Sequence, residues 1–330
     1  MSLLLVLLSG MVLIVLSADY FTNGIEWLGY LAHVNEGATG SLLAAMGTAL
    51  PETLVPVAAI YFGGTSAKIA ISLGAIFGAP LMLATLGFFV IGAGLWGTGR
   101  QALDIGNTRA FRGDLSFFLM AFGLAVLAAL LPSSVHPLAA AVLIGLYAWH
   151  AKSVLGMRSG TAKPAPVPSR RLHLYARDDP GVPISLLQVL IALFGLVLGA
   201  HFFVVGLDQV TREIRLSEFL LSVLITPVAT ELPEVFNSVI WIRRGRDTLA
   251  LGNVTGAMAF QASVVPALGM LVTRWQLSGQ ELVTAVAAWM GVLWILWASR
   301  GQVLKRHHLI FGMGIYLAFL GLAMEKLGVR

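Results

Sequence analysis

Apolar residues occupy this chain in long blocks, broken at short intervals by clusters of charge, proline and glycine. Runs of about 18 or more apolar residues read as membrane-spanning helices. The blocks predict ten spans, at residues 2–21, 38–62, 69–97, 115–131, 135–152, 184–208, 217–241, 249–273, 281–299 and 308–325. The only substantial polar segment, 156–183, holds Pro164, Pro166, Pro168, Pro180 and Pro183 and reads as a linker loop. It leaves five spans in residues 1–155 and five in 184–330. An odd number of spans per half inserts the second half upside down relative to the first. The expected fold class is an all-α polytopic membrane protein with ten transmembrane helices in two inverted five-helix repeats.

Composition agrees with that pattern. Hydrophobic residues make up 58% of the chain and charged residues 11%, with a mean hydropathy of +0.86; a soluble protein carries roughly 25% charged residues. There is no cysteine, which excludes disulfides, thiolate metal sites and cysteine catalysis. The N-terminal MSLLLVLLSGMVLIVLSAD lacks a basic leader and a clear small-residue cleavage site, so it reads as the first span.

The net charge of +5 matters less than where it lies. With ten spans, fifteen Lys and Arg residues fall on one side and six on the other (21 in all). The positive-inside rule then puts the linker in the cytoplasm and both termini outside. The expected location is the plasma (inner) membrane. The basic residues set topology; Arg170–Arg171 also suits anionic lipid, and no nucleic-acid role is needed. The expected partners are the bilayer and transported cations, and no cofactor is called for.

One peptide pattern occurs twice: GTALPE at 47–52 and ATELPE at 229–234, each inside an apolar block. Charged groups at bilayer depth usually line an ion or proton pathway. A proline in an apolar helix also releases the carbonyl four residues earlier, here that of Gly47 or Ala229. Each copy therefore joins a carboxylate to unpaired carbonyl oxygen, which suits a desolvated cation and predicts interrupted helices at the centre of the bundle. An offset of 182 superposes Thr48 on Thr230, Pro51 on Pro233, Glu52 on Glu234 and Gly24 on Gly206. After the motif the register slips by four, because Glu52 to Gly74 is 22 residues and Glu234 to Gly252 is 18. Gly74/Gly78 and Gly252/Gly256 then correspond, each a G-x-x-x-G. Inverted repeats around a midplane site are the architecture of many secondary transporters.

Thr48 and Glu52 share a helix face, as do Thr230 and Glu234; Glu231 lies three residues from Glu234. Hydroxyl, carboxylate and carbonyl oxygens from both halves would form a cage of hard ligands, suited to Ca²⁺ or Na⁺. Facing carboxylates also repel, so the site would hold protons when metal is absent.

These motifs resemble the α-repeats of the sodium/calcium exchanger group within the cation/calcium antiporter superfamily. Those repeats read G-T-S-x-P-E, followed about twenty residues on by G-N-x-x-G-S-N. The resemblance implies an antiporter exchanging Ca²⁺ for Na⁺ and/or H⁺, with a central site between spans 2, 3, 7 and 8. Glu52 and Glu234 would be the main ligands, supported by Thr48 and Thr230, and spans 1 and 6 would slide across that core. Asp19 and His201, which coincide under the 182 offset, would sit on the sliding helices as gate-lining or proton-linked groups.

The departures are specific. The motif serine is Ala49 in one copy and Glu231 in the other. In the glycine motif the asparagine is Ala75 in repeat one and Asn253 in repeat two, the later serine is Ala79 and Ala257, and the further polar position is Leu83 and Gln261. Fewer neutral oxygens disfavour several simultaneous Na⁺ sites. Three carboxylates, Glu52, Glu231 and Glu234, suit one divalent ion or a set of protons, so H⁺ is a candidate counter-ion beside Na⁺. Asn253, Gln261 and Asn237 are equally suited to bonding between helices, and Trp27, Trp96, Trp241 and Trp275 read as interfacial anchors. An intramembrane hydrolase finds no support, with no H-E-x-x-H and no cysteine. An H⁺-coupled exchanger of another cation, a channel or a transport-inactive scaffold of the same fold stays open.

Overall fold

The computed structural model describes residues 3–31, 50–61, 66–158, 168, 170–175, 180–214, 217–243 and 245–326. The helices are α1 (Leu3–Leu31), α2 (Leu50–Tyr61), α3 (Ser66–Met82), α4 (Phe88–Gly94), α5 (Thr108–Ala128) and α6 (His136–Arg158), then α7 (Val182–Ile214), α8 (Glu218–Arg243), α9 (Asp247–Gln261), α10 (Val264–Val272), α11 (Gly279–Ala298) and α12 (Arg306–Lys326). Two short strands, β1 (Ala102–Asp104) and β2 (Val303–Lys305), pair antiparallel with Leu103 opposite Leu304. Among the described residues, eight helical stretches are long and apolar enough to cross a membrane. Two shorter apolar stretches, Glu52–Tyr61 and Glu218–Val228, lie on α2 and α8. The chain is a multi-pass, mostly helical membrane protein.

Helix α8 runs unbroken through Pro233, so the break expected there is absent. Proline is tolerated inside a membrane helix because neighbouring groups take up the freed backbone atoms. The irregularities fall one span later. A π-helical turn, Leu83–Gly87, joins α3 to α4, and Ala262–Ser263 separate α9 from α10. These coincide under the 178 offset that relates the glycine motifs (85 + 178 = 263).

Two apolar cores organise the packing. The larger is built mainly on α3–α6 and α8–α12. The smaller joins α1 and α7 to parts of α2, α3 and α8. Within it α1 and α7 run antiparallel at backbone contact: a Cβ on Gly24 would meet Val189 at 2.8 Å, and one on Gly206 would meet Leu7 Cα at 2.6 Å. These are one contact seen twice, since 24 + 182 = 206 and 7 + 182 = 189. Helices α3 and α8 run parallel and equally close, with Gly74 under the Phe219 carbonyl and Gly78 under that of Val223. The first G-x-x-x-G is therefore a close packing face between α3 and α8.

Trp275 corrects its reading as an interfacial anchor. It is 1% exposed, stacks on Phe77 at 5.9 Å and donates its indole N–H to the Ala125 carbonyl at 2.8 Å. Its φ of 45° is left-handed, a strain of about 1–3 kcal/mol offset by burying a large ring. Trp27 is likewise buried, whereas Trp96 is exposed.

Candidate carboxylate site

Glu52 occupies the first turn of α2, and Glu231 and Glu234 lie on the middle of α8. A separation of three residues turns the last two toward one side of the helix. The packing of α8 against α3, reinforced by a 2.7 Å bond from Ser222 Oγ to the Ile71 carbonyl, holds this face inside the bundle. One carboxylate oxygen from each of the three glutamates lies within 4.8 Å of the others. All three residues are between 0 and 2% exposed.

Neutral side chains reach this cluster from α8 and α9. Gln261 Nε2 donates to Glu231 Oε1 at 2.7 Å, which fixes the amide so that its own oxygen is left as an acceptor. That Gln261 oxygen is buried and meets no hydrogen-bond donor among the described residues. Thr230 donates its hydroxyl to the Thr226 carbonyl at 3.2 Å and keeps oxygen lone pairs. Asn253 donates to the Glu234 main-chain carbonyl and to Ser238 Oγ, each at 3.3 Å. It thus clamps α9 to α8 directly behind the cluster.

Two carboxylates 4.8 Å apart repel by about 3 to 4 kcal/mol at an effective dielectric of 20. Desolvation adds to that cost for each ion. Three such groups together require compensation by cations or by protons. The donor set consists of hard oxygen, which fits Ca²⁺ or Na⁺ and offers nothing to a soft metal.

Of the residues expected at the site, Glu52, Glu231, Glu234 and Gln261 come together and Thr230 lies one turn from Glu234 on α8. Gly47 and Thr48 lie outside the described residues. Ala229 lies in α8, where Pro233 brings no N–H for its carbonyl. Asp19 is half-exposed and bonded by Arg170 and His173 of the linker. His201 lies partly exposed on α7 beside Phe202.

Sequence reading missed two features. Ser222, Thr226, Thr230, Glu234 and Ser238 recur every fourth residue along α8 and are all buried, a polar stripe through the bundle. Its signal was the spacing itself. Asp114, placed just before the predicted fourth span, is in fact buried in α5. It accepts from Thr255 at 2.6 Å and bonds a ring nitrogen of His150 at 3.0 Å.

The sequence pattern of the family described as sodium/calcium exchanger protein matches residues 2–151 and 184–324, both halves without the linker. The chain belongs to this family. Among its relatives, the putative antiporter CaxA of Alkalimonas amylolytica is 25% identical over 321 residues, 95% of each chain. An uncharacterised membrane protein of Methanocaldococcus jannaschii is 23% identical over 325 residues, 97% of each. The exchanger-family fold is shared with the H⁺/Ca²⁺ exchanger CAX, at a TM-score of 0.75 and 17% identity over 97% of this chain and 82% of that one. It is shared too with the sodium–calcium exchanger NCX_Mj, at 0.64 and 20% identity over 97% and 99%. An exchanger-family chain is a membrane antiporter of cations and not an enzyme.

Proposed function

We propose that this exchanger-family chain carries Ca²⁺ against H⁺ and/or Na⁺ by alternating access, with Glu52, Glu231 and Glu234 as the ion site. The observation that carries the reading is three buried carboxylates from two helices within 4.8 Å. Thr230 and Gln261 supply neutral oxygen, and Asn253 positions the Glu234 segment. Alanine or leucine at 49, 79, 83 and 257 withholds the neutral oxygens that extra Na⁺ ions need, which favours H⁺ as the counter-ion. The fold shared with an H⁺/Ca²⁺ exchanger is compatible with that choice.

Ten spans in two inverted halves, with both termini outside the plasma membrane, fit the packing directions. Helices α1 and α7 pack antiparallel while α3 and α8 pack parallel, as that topology requires. The repeated Gly24–Val189 and Gly206–Leu7 contacts support a twofold relation between halves. In this reading α1 and α7, packed on one another in the smaller apolar core, slide across the site-bearing helices.

The deciding experiment is ion flux in proteoliposomes with Ca²⁺, Na⁺ and pH gradients imposed one at a time. Ca²⁺ uptake driven by a pH gradient without Na⁺ is expected; strict Na⁺ dependence sinks the H⁺ reading. Glu52→Gln and Glu234→Gln should stop flux in folded protein, which separates a carrier from a scaffold. Flux that needs no counter-ion would mark a channel instead.

A further inference from the structure

Asp19, Asn23 and Trp27 recur every fourth residue of α1 and form one face of it. A short linker segment, Arg170–Leu174, reaches this face. Arg170 donates to Asp19 Oδ1 at 3.1 Å, and His173 Nε2 lies 3.0 Å from Asp19 Oδ2. Asn23 donates to the Arg171 carbonyl at 3.3 Å and Trp27 to the Arg170 carbonyl at 3.0 Å. The His173 main-chain N–H donates back to Asn23 Oδ1 at 3.1 Å, and its ring lies 4.6 Å from that of Tyr20.

The same segment engages α7. Leu174 N–H donates to Gln188 Oε1 at 2.8 Å, while Gln188 Nε2 donates to Asn23 Oδ1 at 2.9 Å and to the Tyr20 carbonyl at 2.8 Å. Asn23, Gln188 and Leu172 are at most 3% exposed, whereas Asp19 is half-exposed. Buried polar groups whose hydrogen bonds are satisfied rigidify what they join, and an exposed ion pair adds little. The grip therefore rests on Asn23 and Gln188, with the Asp19 pairs as its outer edge.

We propose that residues 170–174 are a strap that pins the end of α1, residues 19–27, to the start of α7 around Gln188, at one end of a helix pair already packed along its length. This rests on the reading that these two helices slide past the carboxylate site. Each bond named above ends on α1 or α7 and so ties the strap to the pair. Sliding of packed helices is a shear motion that needs each body to stay rigid. With the strap loosened, the ends of α1 and α7 that it joins part more readily, and fewer displacements of the pair open the site. Turnover falls, while the affinity of a site the strap does not touch stays constant.

The test uses the full chain in proteoliposomes, with Ca²⁺ as the probe. Arg170→Ala/His173→Ala loosens the edge and Gln188→Ala the grip. The expected result is a maximal Ca²⁺ flux lowered severalfold, most in Gln188→Ala, with an unchanged half-saturating concentration. Backbone hydrogen exchange in detergent, read without any transport, should accelerate at residues 19–27 of α1 and 185–190 of α7. Because the chain has no cysteine, Asn23→Cys/His173→Cys closes the strap covalently on oxidation, and the crosslinked protein should regain flux that reduction takes away. Unchanged exchange in Gln188→Ala overturns the strap, whatever the flux. So does a crosslink that arrests transport, since the strap would then have to leave. Wild-type protein that moves no Ca²⁺ under any gradient overturns the transport reading and the strap's part in turnover, while exchange data still report whether the helices are held.

Discussion

Glu231 is the residue on which this site departs from a symmetric pair of glutamates. It brings a third carboxyl group within 4.8 Å of Glu52 and Glu234, and Gln261 orients it through a 2.7 Å bond. Gln261→Leu removes that bond and the acceptor oxygen together; Ca²⁺ affinity should fall about tenfold, the effect of roughly 1.4 kcal/mol, read as a rise in the half-saturating concentration. Protons and cations compete for the same oxygens. Lowering the pH on both sides should therefore weaken apparent Ca²⁺ affinity, and Glu231→Gln should flatten that dependence in a flux-against-pH series. Glu231 was visible in the sequence as an extra carboxylate, but its bond to a residue thirty positions away was not. Spacing along one helix says nothing about which side chain from another helix will meet it.

Elements join through atoms that have no room to spare. Gly78 meets the Val223 carbonyl so closely that an added Cβ would stand 2.7 Å from it. Gly78→Val must push α3 off α8, and should lower thermal stability by about 1–3 kcal/mol, measured as a fall in unfolding temperature in detergent. Asp114 ties α5 to α6 through His150 and to α9 through Thr255. Asp114→Ala leaves both donors unpaired in a buried place, and should cost on the order of 3 kcal/mol in the same assay. The G-x-x-x-G face was legible because it is a local pattern, whereas helix ends were less so: the first span, read as 2–21, is a helix that runs on to Leu31. The π-turn at Leu83–Gly87 and the break at Ala262–Ser263 were not legible, since the prolines at 51 and 233 offered the stronger local signal. In α8 that signal gave way to continuous helix, because the surrounding bundle keeps a proline-containing segment helical.

The whole molecule sets a buried cluster of three glutamates beside α1 and α7, whose apolar core also takes in residues of α2, α3 and α8. A cation that binds only the folded site stabilises the fold by mass action, about 2.7 kcal/mol at a hundredfold excess over its Kd. Added Ca²⁺ should accordingly raise the unfolding temperature of the wild-type chain. Glu52→Gln/Glu234→Gln should abolish that rise while folding in its absence. At this scale the packing directions also bear on topology: accessibility tags at each terminus should both react from outside the cell.

The sequence by itself determined the membrane fold, the doubled carboxylate motif and the numbering that relates its two copies. These follow from composition and from patterns within a few residues, which the bilayer and backbone geometry translate directly into helices. Tertiary structure alone decided that Glu52, Glu231 and Glu234 converge, that Asp19 is held by the linker, and that Trp275 is core instead of interface. Each depends on helices far apart in the chain meeting at a chosen register. That register is set by close packing of small and large side chains across the whole bundle, which no local stretch of sequence contains.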